Sequence, residues 1–568
     1  MMQASGSDEN GCDSSPETAV AQRWQLQLMH VWLCLPAALT LIYVWTQAQF
    51  EVDLWPHLNL GRSIWESGEL PSSAFYSYRS RGEGVIDQNW LGQTILYLLH
   101  AAGGREATRC GVALMYAAGV SMLTWSCYRR SHSVWATMVS LITCLLLCSS
   151  NFSARTQVFS FTCFATAATL LLHWPRKAIW PYVVCVVMQV FWSNTHGAFP
   201  LGVILPGIFL AAHGLDRWKA HGLIAGIRRT LTDAECRPLL ILCPLMLAAC
   251  FVNPTPEHTP GYLSGVIGRS QQRGITEWQR TTAGDITGGL FYLSALLTVI
   301  CVGISRRRIT WRDALLLLVF FLLGTRASRM VIWWGYVAAL VMTPLLAAGF
   351  RRLPNIGWSF PIPIPMFPIP ARVRHWWRLL TQDTSQTESS WLNTAIAGLL
   401  MTIICVSTPW TRQFNPLLSE ERRQTIAADE PFHAVRHLVE QNYTGRLFSH
   451  MEWGAYATFA LPASSKIHMD AMIDFFPDDV WSDYCTVMQA AEGWDKILQR
   501  DHVDAFLLPA EDSPAVVQLL RTSHEWTETY RDDVALIFRR RSADHATKTR
   551  NTGDQQAARV PGHDLSRG

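Results

Sequence analysis

The chain has 568 residues, of which 49% are hydrophobic and 16% are charged, whereas ordinary soluble domains carry roughly 25% charged residues. Its net charge of +3 is too small to indicate nucleic acid or a strongly acidic partner. The charge is also uneven, because residues 1–409 hold 50 charged residues and the much shorter stretch 410–568 holds 41. This split excludes a single soluble domain and predicts a membrane part followed by a water-soluble part.

The polar, acidic residues 1–22 predict a disordered cytoplasmic tail. After it come eleven apolar runs that are candidates for membrane helices, several of them shorter than the roughly 20 residues of a full span. A twelfth run, 89–103, is short and mixed, and we predict a helix lying along the outer membrane surface. The eleven runs are 27–47, 110–127, 133–149, 156–173, 178–193, 198–213, 238–252, 289–304, 311–324, 330–349 and 391–409.

Basic clusters between the runs predict the orientation, because positively charged loops stay in the cytoplasm. Placing all of them inside puts the N-terminus inside and everything after residue 409 outside. The alternative is that 89–103 crosses the membrane, which would place Arg129 and Arg130 outside. The basic clusters are Arg129-Arg130, Arg176-Lys177, Arg217 to Arg229, Arg306 to Arg308 and Arg351-Arg352.

The predicted outer loops hold most of the unusual polar residues, and charges at membrane depth are costly enough to suggest function. The first outer loop, 50–109, contains Asp53 just after the first run and Asp87 before Asn89-Trp90. Two such carboxylates are suited to acid–base catalysis, or to holding a divalent cation such as Mg²⁺ or Mn²⁺. The alternative is structural, with Asp53 as a helix cap and Asp87 as a turn and cap.

This loop resembles that of the type C glycosyltransferases, which take sugars from polyprenyl-phosphate carriers on the outer face of a membrane. Asp53-Leu54-Trp55-Pro56-His57 is similar to the Asp-Pro-Trp/Tyr-x-His start of the loop in oligosaccharyltransferase catalytic subunits. The similarity is closer to an uncharacterised family of bacterial multi-span proteins with a D-x-W-W-H-L-x-x-G-R loop. The residues that match this family's loop include Asp53, Trp55, His57, Leu58, Gly61, Arg62, Glu66, Asp87, Trp90 and Gln93.

Shorter motifs extend the resemblance over residues 27–540. Ala154-Arg155-Thr156-Gln157 is similar to the family's A-R-P-Q, with Thr156 in place of its usual proline. The other similar segments are Phe191 to Gly197 (L-W-A-N-x-H-G), Val252 to Pro254, Glu277 to Gln279 and Thr325 to Arg329.

The resemblance implies a glycosyltransferase with a polyprenyl-phosphate-linked donor and a glycan, lipid or protein acceptor. Asp53 is the candidate base or metal ligand, and Asp87 is the second carboxylate of the catalytic or metal site. Arginine fits phosphate oxygens because its guanidinium group donates two parallel hydrogen bonds. The candidate substrate-binding residues are His57, Arg62, Arg155, Asn194, His196, Glu277, Arg326 and Arg329.

Several of these residues have a structural alternative. Arg326 and Arg329 are also placed to anchor the ends of membrane helices, and Arg155 lies beside an apolar run. Asn194 and His196 lie in a tight loop with Gly197, and Glu277 lies in a long loop where a solvated side chain is ordinary.

The last part of the chain predicts a small outer α/β domain, 410–540, and a disordered tail, 541–568. A Pro-rich segment, 361–370, precedes it and is unable to form a helix or an inner strand. The bacterial family has D-G-R-x-D in the second strand of this domain, but here the segment reads Met469-Asp470-Ala471-Met472-Ile473-Asp474 and the arginine is missing. No role of that arginine is carried over, and Asp470 has a structural alternative.

The sequence therefore predicts an α-helical polytopic membrane protein of about eleven transmembrane helices with an outer juxtamembrane helix. The bacterial cytoplasmic membrane is its predicted location, with the transferase part at 23–409 and lipids around it. A transporter of lipid-linked glycans is a second hypothesis, although few polar residues lie in the middle of the runs. A catalytically inactive scaffold is the third.

Overall fold

The computed structural model describes residues 26–47, 52–80, 87–173, 178–261, 271–305, 307–352, 390–416, 418–423, 430–511 and 514–541. The predicted N-terminal tail, the Pro-rich segment 361–370 and nearly all of the predicted C-terminal tail lie outside these residues.

Helix is present at each of the eleven predicted apolar runs. Two further helices, α2 and α8, are too short to cross a membrane. In chain order the helices of this part are α1 (Leu28–Thr46), α2 (Leu54–Ser67), α3 (Trp90–Ser131), α4 (Val134–Cys148), α5 (Gln157–Leu172), α6 (Trp180–Thr195), α7 (Pro200–His221), α8 (Leu223–Thr232), α9 (Arg237–Ala249), α10 (Ile286–Ser305), α11 (Trp311–Arg326), α12 (Val331–Arg352) and α13 (Ser390–Val406).

Among the described residues, five helical segments are long and apolar enough to cross a membrane: Leu28–Thr46, Trp90–Ser131, Val134–Asn151, Ile286–Ser305 and Ser328–Gly349. Shorter apolar helices follow at Gln157–Leu172, Arg237–Ala249 and Trp391–Val406. The chain is thus an integral membrane protein with mostly helical structure, and the exact number of crossings stays a prediction.

Helix α3 contains the boundary that the sequence places after residue 103. Gly103 and Gly104 have non-helical backbone angles, and Gly104 has φ 67°, a conformation that favours glycine. The kink divides α3 into a first part that matches run 89–103 and a second, longer part that contains run 110–127. The placement of the first part on the outer surface stays a prediction.

Helix α2 packs closely on the first part of α3. A Cβ atom on Gly61 would lie 2.3 Å from the backbone oxygen of Gln93, so only glycine permits this approach. The contact fixes the direction in which α2 leaves Asp53.

The C-terminal domain has the α/β composition that the sequence predicts. Its five-stranded sheet has the order β2-β1-β3-β5-β4, in which β1 is parallel to β2 and β3, while β5 is antiparallel to β3 and β4. The strands are β1 (Arg446–Ser449), β2 (Lys466–Ile467), β3 (Ala505–Pro509), β4 (Trp526–Arg531) and β5 (Ala535–Arg540). The helices are α14 (Glu420–Arg423), α15 (Phe432–Glu440), α16 (Met451–Ala460), α17 (Asp478–Met488), α18 (Trp494–Arg500) and α19 (Pro514–Thr522).

Two details of the predicted domain are wrong. The sequence predicts the second strand over 466–470, but β2 has only two residues, and the sequence does not predict helix α19. Asp470, just after β2, is fully buried and accepts a hydrogen bond from the Met472 amide at 3.0 Å. That turn ends the strand early and gives Asp470 a structural role.

The first loop continues the sheet of the C-terminal domain. Ser77 forms a parallel bridge with Ile467, and the Tyr78 and Ile467 amides donate across it at 3.0 Å each. The loop therefore covers the edge strand β2, whose unpaired backbone groups would otherwise be exposed.

Arg79 holds the same loop in an acidic pocket of the C-terminal domain. Its guanidinium group lies 3.0 Å from Asp501, 2.7 Å from Asp483 and 3.3 Å from Asp479. The side chains of Arg79 and Asp501 are each only 7% exposed. Such a buried pair is costly to break, because removing one partner leaves the other charge desolvated.

Replacing Arg79 with alanine is therefore expected to destabilise the contact between the first loop and the C-terminal domain. Because Arg500 also pairs with Asp501 and Asp483, we expect a loss of about 2 kcal/mol rather than the full cost of an unpaired buried charge. Thermal unfolding of the purified chain in detergent measures it. The matched control is Arg436→Ala, which removes an exposed pair with Glu440 and should cost under about 0.5 kcal/mol. Equal losses of stability in the two variants would contradict the role of Arg79 in holding the first loop against the C-terminal domain.

Candidate active site

Asp53 lies immediately before α2, at the position from which a helix cap would act. Its side chain makes no capping hydrogen bond, so the cap alternative is wrong. Instead its carboxylate Oδ2 lies 3.0 Å from Arg155 Nη1. Asp53 is thus an ion-pair partner of the turn between α4 and α5.

Arg155 links this carboxylate to a second one. Its Nη1 also lies 3.2 Å from Glu277 Oε2, and its Nε donates to Ser153 Oγ at 2.6 Å. The serine fixes the guanidinium plane from its own turn, so that one edge faces both acids.

Glu277 continues the chain of charges to the turn before α12. It lies on the 3₁₀ turn Thr276–Trp278, and its Oε1 accepts from Arg329 Nη1 at 2.5 Å. Arg329 stacks on Trp278 with 5.1 Å from Cζ to the ring centroid, and Ser328 Oγ donates to the Glu277 carbonyl at 3.0 Å. Glu277 is therefore paired with two arginines, Arg155 and Arg329, and is not a freely solvated side chain.

His196, at the end of α6, lies next to Arg329, the last residue in this series of ion pairs. Its Nε2 lies 3.4 Å from Arg329 Nη2, and its Nδ1 lies 2.7 Å from Ser160 Oγ on α5. We call Asp53, Arg155, Glu277, Arg329 and His196 the charged cluster. Five separate segments of the chain supply its members, all of them candidates from the sequence.

His57 lies beside the charged cluster and is buried. Its Nε2 lies 3.4 Å from Thr156 Oγ1, while its Nδ1 has no hydrogen-bond partner among the described residues. Burial, which outweighs the attraction of Asp53, lowers the pKa of His57 to about 4. The imidazole is therefore neutral at physiological pH.

The electrostatics of the cluster keep Asp53 ionised. Burial raises the pKa of Asp53, but the positive charges of Arg155 and Arg329 outweigh it and hold the pKa below its ordinary value. The pKa of Arg155 is raised despite burial, because Asp53 and Glu277 stabilise its charge. Two carboxylates face two guanidinium groups, so the cluster is close to neutral.

Besides His57, four candidates lie outside the cluster. Asp87 Oδ1 accepts from the Asn89 amide and from Gln93 Nε2, each at 3.0 Å, so the predicted turn is present. The cap that follows is Asn89, which makes no side-chain capping bond. Asp87 thus organises the start of α3 and does not contact Asp53.

Asn194 and Arg62 are used in packing. Asn194 accepts from Trp90 Nε1 and donates to the Val252 carbonyl, each at 2.8 Å. Arg62 donates to the Phe459 carbonyl of the C-terminal domain at 3.3 Å and lies over the Phe459 ring. Arg326 is exposed at the end of α11 and forms no ion pair with the described residues.

Among the described residues, no group of three or more His, Cys, Asp or Glu side chains is placed to hold a metal ion. Asp53 pairs with Arg155, whereas Asp87 accepts hydrogen bonds from Asn89 and Gln93, so no contact joins the two carboxylates among the described residues.

Sequence reasoning missed Ser160 and Trp192. Ser160 is fully buried on α5, one helical turn after Thr156, and accepts from Trp192 Nε1 at 2.6 Å. The available signal was its spacing of four residues from Thr156, which places it on the same face of an otherwise apolar helix.

Comparison with known proteins bears on the fold. No protein-family model and no curated protein sequence matches the chain. The oligosaccharyltransferase AglB from Archaeoglobus fulgidus, in complex with an inhibitory peptide and a dolichol-phosphate, is similar with a TM-score of 0.50 at 11% identity, over 84% of this chain and 69% of that one. ArnT from Cupriavidus metallidurans in the apo state gives 0.49 at 12% identity, over 91% and 98%.

A structure of the Archaeoglobus fulgidus oligosaccharyltransferase tethered with an acceptor peptide gives a TM-score of 0.49 at 11% identity, over 91% and 74% of the two chains. The similarity to AglB places the chain among membrane proteins with the fold of an oligosaccharyltransferase. At 11% identity this similarity bears on the fold alone, and the resemblance to the type C glycosyltransferases stays a prediction beyond the fold. The closer resemblance to the uncharacterised bacterial family stays a prediction.

The burial of Asp87 predicts a pH-dependent stability. Burial raises the pKa of Asp87 from 3.8 to about 7. The contribution of Asp87 to the free energy of unfolding is therefore fully present below its pKa in the unfolded chain, and it is lost as pH rises through its pKa in the folded protein. Asp87→Asn keeps an acceptor for Asn89 and Gln93 but removes the titration. Relative to that of wild type, the free energy of unfolding of the variant should rise by on the order of 2–4 kcal/mol from about pH 5 to about pH 8.

Thermal unfolding at both pH values measures this gain, and Asp495→Asn, on the exposed face of α18, is the control. Parallel pH dependences for wild type and Asp87→Asn would show that Asp87 is not the buried acid responsible.

Proposed function

We propose that this chain is a membrane glycosyltransferase that transfers a sugar from a polyprenyl-phosphate-linked donor to an acceptor outside the cytoplasmic membrane. The observation that carries the proposal is the charged cluster, in which two acids, two arginines and a histidine from five segments are in contact. The fold supports it, since the similar AglB structure is a complex with a dolichol-phosphate and a peptide.

The arginines are the proposed binding site for the donor's phosphate. Guanidinium groups suit phosphate oxygens, and Arg155 and Arg329 are partly buried at 18% and 19% side-chain exposure, where their charge is less screened. Both are already paired with carboxylates. The donor phosphate therefore exchanges with Asp53 and Glu277 for these arginines rather than entering an empty site.

The exchange prepares Asp53 for catalysis. When the phosphate takes over Arg155, Asp53 loses the strongest attraction that holds its pKa down, and the carboxylate becomes a better base. The acceptor then attacks the anomeric carbon while its proton passes to Asp53. The bond from that carbon to the phosphate oxygen breaks, and the phosphate leaves with the electron pair, stabilised by Arg155 and Arg329.

The remaining candidates have positioning roles in this proposal. Asp87 and Asn194 fix the start of α3 against the end of α6, and Arg62 holds α2 against the C-terminal domain. The neutral His57 packs beneath Asp53 without competing for the arginines. In a second version of the proposal, Asp53 is a ligand of Mg²⁺ or Mn²⁺. That version requires the cluster to rearrange, because Asp53 is paired with Arg155.

Asp53→Asn is expected to reduce sugar transfer by about 10²–10⁴-fold, because the amide accepts no proton. The protein should still fold, since Asp53 makes no capping bond. Mass spectrometry of envelope glycans and lipid-linked sugars, from cells with and without the protein, identifies the donor and acceptor. Purified variants are then assayed with both.

Asp495→Asn serves as the control and should leave transfer unchanged. Full transfer by a folded Asp53→Asn protein would overturn the catalytic assignment. Donor that accumulates in one leaflet in cells without the protein would indicate a transporter, and unchanged glycans would indicate a scaffold.

Arg155→Gln is expected to move the acidic limb of the pH profile of kcat/KM upward by about 1 unit or more. The reason is that Asp53 loses its nearest positive charge, which holds its pKa down, so its pKa rises. Arg326→Gln is the matched control, because Arg326 forms no ion pair with the described residues. Coincident acidic limbs in the wild-type and Arg155→Gln profiles would contradict the coupling between Arg155 and Asp53.

A further inference from the structure

The hydrogen bonds around His196 determine which ring nitrogen carries the proton. The backbone amide of Ala198 points at Nδ1 at 3.3 Å. An amide N–H donates and cannot accept, so this contact favours an unprotonated Nδ1. A neutral imidazole with a bare Nδ1 carries its hydrogen on Nε2.

Ser160 reinforces the same state from the other side. Trp192 Nε1 is a donor only, and it donates to Ser160 Oγ at 2.6 Å. The serine hydroxyl hydrogen is then free to point at His196 Nδ1, 2.7 Å away. Ser160 and Trp192 are both 0% exposed, so water does not compete for these bonds.

The protonated Nε2 faces a second donor. Arg329 Nη2 lies 3.4 Å from it, and an arginine nitrogen has no lone pair to accept with. Arg329 already satisfies Glu277 through its other terminal nitrogen, Nη1. Two N–H groups therefore converge at the edge of the charged cluster, with no acceptor between them among the described residues.

The histidine is also neutral, which makes it a hydrogen-bond donor rather than a second cation. Burial, followed by the charge of Arg329, lowers the pKa of His196 well below its ordinary value. Because a neutral donor adds no charge, it can sit beside Arg329 without electrostatic repulsion. Together they suit an oxygen that carries negative charge.

We propose that Ser160, held by Trp192, is a positioning residue that keeps His196 in the Nε2–H form, and that His196 and Arg329 bind one phosphate oxygen of the donor. This rests on the proposed function, since it names the group at the charged cluster that recognises the donor's phosphate. Inorganic phosphate carries the same oxygens, so binding of the lipid and of the free ion are compared.

The test uses the full chain in detergent, with undecaprenyl phosphate as the probe and inorganic phosphate as the comparison. His196→Gln places an amide NH₂ near the position of Nε2, whereas His196→Asn places it near Nδ1. We expect Gln to weaken undecaprenyl phosphate binding by a few-fold at most. Asn should weaken it by about tenfold or more, as for a lost hydrogen bond to a charged group.

Nitrogen-15 NMR of the histidine rings provides a readout that does not depend on activity. Wild type should show His196 with Nε2 protonated and Nδ1 bare. Ser160→Ala should populate the other tautomer and weaken undecaprenyl phosphate binding, and Ser160→Thr, which keeps the hydroxyl, should restore both. A structural role alone would change stability without changing the tautomer.

The outcomes separate the two proposals. A protonated Nδ1 in wild type, or equal loss for His196→Gln and His196→Asn while wild type binds, would overturn this inference and leave the proposed function standing. If wild type shows the Nε2–H tautomer but binds neither undecaprenyl phosphate nor inorganic phosphate, both the phosphate assignment and the proposed function fail. Binding of inorganic phosphate but not of undecaprenyl phosphate would overturn the proposal that the donor is linked to a lipid phosphate.

Discussion

The interaction on which the site depends is the alternation of charge from Asp53 through Arg155 and Glu277 to Arg329. Each arginine is partly buried and would be costly to leave unpaired, and each carboxylate would repel the other without the guanidinium group between them. Four segments that are far apart in the sequence are held together because each ion pair joins two of them. The proposed function uses this neutrality, because there a phosphate replaces a carboxylate beside each arginine.

A second constraint fixes the first loop from both ends. On the membrane side, Gly61 allows α2 to lie against α3, and Asp87 organises the start of α3. On the other side, Ser77 extends the sheet of the C-terminal domain and Arg79 enters its acidic pocket. The C-terminal domain therefore helps to hold the loop that carries Asp53, and it does more than follow the membrane part in the chain.

The polar environment of His196 illustrates how groups outside the charged cluster act on one of its members. Ser160 and Trp192 are buried and carry no charge, yet their hydrogen bonds select one of two neutral forms of the ring. That choice decides whether His196 opposes or complements an anion beside Arg329. Packing inside the helical part thus determines the chemistry offered at its surface.

The sequence by itself determined the helical runs, the α/β character of the last domain and the residues that form the charged cluster, because these depend on composition, local periodicity and short motifs. It left open whether Asp53 was a cap, whether Glu277 was solvated and which groups Arg155 contacts. It did not show that Asn194 and Arg62 make packing contacts away from the cluster, or that Ser160 and Trp192 are hydrogen-bonded. Only the tertiary structure decided these points, since ion pairs and hydrogen bonds between distant turns depend on helix packing that no local pattern records.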